Sequence, residues 1–100
     1  MAYVSGDLDA TLAAAAGDDL ELLRELRAAF IESLDRQIDL LHRSRCDGNW
    51  QVAAMRLKGL AASFHVEALI VLADEAIEAA PGDPVVLRRL KAFLGEFSPG

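Results

Sequence analysis

The chain has a single cysteine, Cys46, among its 100 residues, so no internal disulfide can form, and no Cys/His cluster has the spacing of a zinc site. Aromatic residues are only 6% and no run of alternating β-branched residues occurs, which argues against sheet and leaves a chain dominated by alanine and leucine. Basic residues are outnumbered 10 to 16 by acidic ones, and the net charge of −6 repels a phosphate backbone. No basic stripe offsets it, so nucleic acid is not an expected partner. The longest apolar stretch, 68–73, is far too short to span a bilayer, and the acidic start 1–9 lacks the basic region of a signal peptide. The expectation is a cytoplasmic protein with no membrane contact.

What is present is enough apolar material, 53%, for one core. A single all-α domain over 1–100 is expected. Turn signals divide it into a short N-terminal helix and four longer ones. The first runs over 7–16 and stops at Gly17. Asp18, with Glu21 three residues on as in a capping box, opens a helix to about Arg43, where His42, Arg43 and Arg45 gather at its negative end. Asp47 or Asn49 caps the next. The following helix is expected over 66–80, stopped by Pro81-Gly82, and the last over 84–95, with Asp83 as its cap and Pro84 at its first position.

Helical phase sorts the third helix into two stripes. Trp50, Ala54, Leu57, Ala61 and Phe64 recur at spacings of four and three, which marks a core face. At about 100° per residue, Met55 projects away from that stripe together with Gln51, Lys58, Gly59 and Ala62. A glycine within a helix costs roughly 0.5 to 1 kcal/mol relative to alanine, so Gly59, on the exposed side one turn after Met55, requires a reason. Leu20, Leu22, Leu23, Leu26, Phe30, Leu34, Ile38 and Leu41 form an arc on the preceding helix too broad for one neighbour, as in a bundle helix.

The segment Ala54-Met55-Arg56-Leu57-Lys58-Gly59 resembles the active helix of histidine phosphotransfer (HPt) domains, which runs Ala-His-x-Leu-Lys-Gly. Met55 stands where the phosphate-accepting histidine would be. The resemblance extends over nearly the whole chain. Gly17-Asp18-Asp19-Leu20-Glu21-Leu22-Leu23-Arg24-Glu25-Leu26 followed by Phe30 is similar to the family's early helices, Trp50 precedes the motif as it often does there, and Ala76-Ile77-Glu78-Ala79 is similar to its fourth-helix pattern. It implies an up-down four-helix bundle with a short extra N-terminal helix, acting in bacterial two-component phosphorelays. In such domains the lysine three residues after the histidine holds the phosphoryl group and the following glycine opens access; Lys58 and Gly59 match.

A thioether has no basic nitrogen and cannot form a phosphoramidate. The resemblance therefore implies a non-phosphorylatable adaptor or competitor that binds the receiver domain of a response regulator or hybrid kinase. Its docking surface would comprise Gln51, Met55, Arg56, Lys58, Gly59 and Ala62, with Phe30 or Ser33 of the preceding helix beside them. Two alternatives stay open. His65, where the family typically has glycine, would be a relocated acceptor in an active carrier, although it lies away from the centre of the docking face and a helix-end cap with positive φ explains it. A helical module that self-associates, with no signalling role, is the other. The expected state is a monomer or weak homodimer. Neither a cofactor nor an enzyme's catalytic constellation is expected: Ser63 has no histidine at a suggestive spacing, and Asp18-Asp19 and Asp74-Glu75 read as caps and solvated helix faces.

Overall fold

The structure, a computed structural model, describes residues 2–97, with side chains described from residue 7 onward. It is all-helical. Five helices follow one another: α1 (Ala2–Ala16), α2 (Leu20–Arg43), α3 (Asp47–Ser63), α4 (Glu67–Glu78) and α5 (Pro84–Gly95). Packing runs α2 against α3, α3 against α4, α4 against α5 and α5 back against α2, while α1 lies along α2. One apolar core draws buried side chains from all five, including Leu8, Leu12, Leu34, Trp50, Leu69 and Leu90.

Local chemistry explains most of the boundaries. Gly17 ends α1 in the left-handed conformation (φ 62°), and its N–H returns to Ala13 O at 2.9 Å. That leaves Asp18 in the turn, so the cap of α2 is Asp19 and not Asp18: Leu22 N–H donates to Asp19 Oδ1 at 3.0 Å. Neither Asp47 nor Asn49 caps α3. Both lie inside its first turn, where Asp47 favours the helix dipole, and Cys46 occupies the cap position with no side-chain hydrogen bond. The helix α4 is shorter than the expected 66–80. Ala80 precedes Pro81, which disfavours helical backbone, and Ala79 already takes an extended ψ of 160°. The last helix falls on its expected bounds, with Val85 N–H donating to Asp83 Oδ1 at 3.2 Å.

Helix α1 begins at Ala2, ahead of the expected Asp7, and the Asp7 side chain serves another helix. Its Oδ2 accepts from Glu67 N–H at 3.3 Å, at the start of α4. The opposite end of α4 is held by α3: Trp50 Nε1 donates to Ala76 O at 2.7 Å and Gln51 Nε2 to Ile77 O at 2.8 Å. Val66, the cap residue of α4, supplies no side-chain bond of its own. Groups left open at both ends of this helix are thus satisfied by side chains from elsewhere in the chain.

Phase on α2 is as expected over most of its length, where Phe30, Leu34, Ile38 and Leu41 are buried. It fails in the first turn. Leu20 is 67% exposed and Leu22 37%.

Candidate functional site

The expected core stripe of α3 is buried: Trp50, Ala54, Leu57 and Ala61 have no exposure, and Phe64 packs half-buried on Phe30 at a centroid distance of 4.9 Å. The opposite stripe is open. Met55 is 61% exposed, and Lys58, Gly59 and Ala62 also face outward. Gly59 has ordinary negative φ, and a Cβ built there meets no atom within 4 Å. Neither backbone conformation nor internal packing requires glycine at this position.

Two bonds close the α4 flank of this face. Besides the Gln51 amide on Ile77 O, Lys58 Nζ lies 2.8 Å from Asp74 Oδ1. Gln51, expected among the exposed residues, is half-buried, since its amide satisfies the end of α4. The α2 flank is different. Arg56 is exposed and forms no ion pair among the described residues. Together with Asn49, Val52 and Ala53 it lines a cavity of about 410 Å³, whose other wall is Leu40, Arg43 and Ser44 of and just after α2.

Val52 was not among the expected docking residues, although it lies one turn before Met55 on helical phase and is 51% exposed. With Met55 it forms an apolar ridge, and Gly59 and Ala62 beyond it give low relief. Asp74 was also absent from the expected set. Its pairing with Lys58 crosses between helices and has no signal in local sequence.

Phe30 does not belong to this surface. It is fully buried and lies at the centre of an aromatic cluster, 4.9 Å from Phe64 and 5.8 Å from Phe97, which in turn stands 5.3 Å from Phe93. The reason is phase on α2, where Phe30 shares the inward stripe with Leu34 and Ile38. Ser33 is half-buried on the same helix.

His65 takes φ 57°, the one positive φ of a non-glycine residue among those described. Its N–H bonds to Ala62 O at 3.2 Å and that of Val66 to Ala61 O at 3.0 Å. These are the paired bonds of a Schellman cap, with Val66 and Ala61 both buried beneath it. The imidazole is thus at the end of α3, roughly 15 Å along the axis from Met55.

Among the described residues no group of three or more His, Cys, Asp or Glu could hold a metal ion, and no helix is long and apolar enough to cross a membrane. In comparisons with known proteins, no family model, no curated protein and no solved structure matches the chain.

Proposed function

We propose that this protein is a degenerate HPt-like bundle, with α2 to α5 as an up-down four-helix arrangement and α1 as an added helix, that binds receiver domains without accepting phosphate. The observation that carries the reading is Gly59. A helix interior tolerates glycine at a cost, no internal contact requires it here, and it lies one turn from an exposed methionine. A partner that approaches α3 closely supplies the missing reason. Polarizable methionine suits such a surface, and a small desolvated apolar centre contributes more to affinity than rim charges do.

The chemistry of the motif favours binding over transfer. At position 55 a thioether offers no nucleophilic nitrogen, and Lys58, which in the resembling family would hold a phosphoryl group, is paired with Asp74. A receiver domain, whose phosphorylation pocket is acidic, would find Arg56 and the α2 flank open to it. Titration of the ¹⁵N-labelled protein with receiver domains of the source cell tests the reading. Shifts should concentrate at Val52, Met55, Gly59 and Ala62; shifts confined to α1 or α5 would count against it.

A further inference from the structure

Ten lysine and arginine side chains are set among sixteen acidic ones. Among the described residues four of the ten stand in ion pairs: Arg27 with Asp9, Arg43 with Asp39, Lys58 with Asp74 and Arg89 with Glu75. Three of the others, Arg45, Arg88 and Lys91, converge with His42 on one concavity of about 390 Å³ where the end of α2 meets α5. Among the described residues no carboxylate lines it. Asp83, the nearest acid in sequence, has its Oδ1 on the N–H of Val85.

The groove has the elements of a recognition surface. Arg45 is held in place, its Nη1 donating to His42 O at 2.9 Å. Arg88 and Lys91 lie three apart on α5, so they share a face where like charges repel unless an anion intervenes. Leu87 and Pro84 add apolar lining to the same concavity. The negative end of α2 accounts for His42 and Arg45 but not for two cations contributed by α5.

We propose that this groove binds a short acidic protein segment that carries an apolar residue between its carboxylates. Bidentate arginine matches carboxylate geometry, and the apolar lining receives the intervening side chain. Nucleic acid and anionic membrane fit less well: both present extended negative surfaces that the remainder of a chain with net charge −6 would repel. No residue of α3 lines the groove, so the proposal stands apart from the receiver-binding reading.

The test is fluorescence anisotropy of a labelled hexapeptide of alternating glutamate and leucine, with the wild-type chain and two charge-matched variants. Arg88→Glu/Lys91→Glu should weaken binding by at least about tenfold, whereas Arg24→Glu/Arg36→Glu, which changes net charge equally, should leave it within about twofold. Both pairs are exposed and, among the described residues, outside ion pairs, and circular dichroism checks that the variants remain helical. Affinity should fall as salt rises from roughly 50 to 300 mM, and amide shifts should map to 42–45 and 87–91. Equal losses in the two variants would reduce the effect to bulk charge and overturn the proposal. So would competition by inorganic phosphate at the peptide's own concentration, or tighter binding of a single-stranded oligonucleotide or of phosphatidylserine vesicles than of the peptide.

Discussion

Lys58 Nζ sits 2.8 Å from Asp74 Oδ1, so the lysine of the Leu-Lys-Gly segment is tied to α4 and not extended over Met55. Both side chains are about half exposed, and a pair of this kind contributes no more than about 1 kcal/mol to stability. Its effect falls on the charge that a partner meets. Asp74→Asn should change the urea midpoint little yet speed association with an acidic receiver pocket and steepen its salt dependence, as read by stopped-flow mixing. An unchanged association rate would mean that the α4 flank takes no part in docking.

Burial of Phe30 makes a separate prediction. Removing a fully buried ring that packs on Phe64 and Phe97 should cost about 3 to 5 kcal/mol in Phe30→Ala. A variant at a docking surface would instead keep its stability and lose affinity. Chemical denaturation separates the two, and a cost below about 1 kcal/mol would contradict the packing described.

At His65 the backbone pays for a left-handed conformation that glycine adopts freely. His65→Gly should stabilise the fold by about 1 kcal/mol, a rise in Tm of roughly 4 to 8 °C for a domain of this size. Incubated with a phosphorylated receiver, neither this variant nor the wild type should acquire acid-labile phosphate. Label on the wild type that disappears in His65→Gly would identify a carrier with its acceptor at the helix end.

Placing a histidine at position 55 tests the geometry of the motif. Met55→His replaces a side chain that is 61% exposed, so stability should stay within about 0.5 kcal/mol. If docking brings a receiver's phosphoryl group to this face, the variant should gain acid-labile label, and more so together with Asp74→Asn, which releases Lys58. Correct folding without any label, in the presence of a receiver that binds, would place the docked phosphoryl group away from position 55.

Phase made α3 legible in the sequence. The recurrence from Trp50 to Phe64 assigned its buried face and most of its open one, and the place of His65 at the end of the helix anticipated its positive φ. Gly17, Asp83 and Pro84 likewise announced their turns through local backbone chemistry. What escaped were relations between elements distant in sequence. Asp7 bonds a residue 60 positions away, Gln51 one 26 positions away, and Lys58 a carboxylate on the next helix; no local pattern records them. Phe30 was misplaced for a different reason. Resemblance sets it beside the motif, whereas its spacing to Leu34 and Ile38 assigns it to the core. Asp18 and Asp19 are adjacent and chemically identical, so only the left-handed turn at Gly17 decides which of them caps α2.

The reading of α3 as a receiver-docking surface rests on Gly59, and substitution there tests it most directly. Gly59→Ala and Gly59→Arg should both retain or gain helical stability, by about 0.5 to 1 kcal/mol, since open space receives the new side chain and both residues are better helix formers. Calorimetric titration against a receiver domain that binds the wild type should then separate them: alanine is expected to keep affinity within a few fold, and arginine to reduce it at least about a hundredfold by obstructing close approach, a loss of about 2.7 kcal/mol. Undiminished affinity in Gly59→Arg would contradict the account and place the interface on another face.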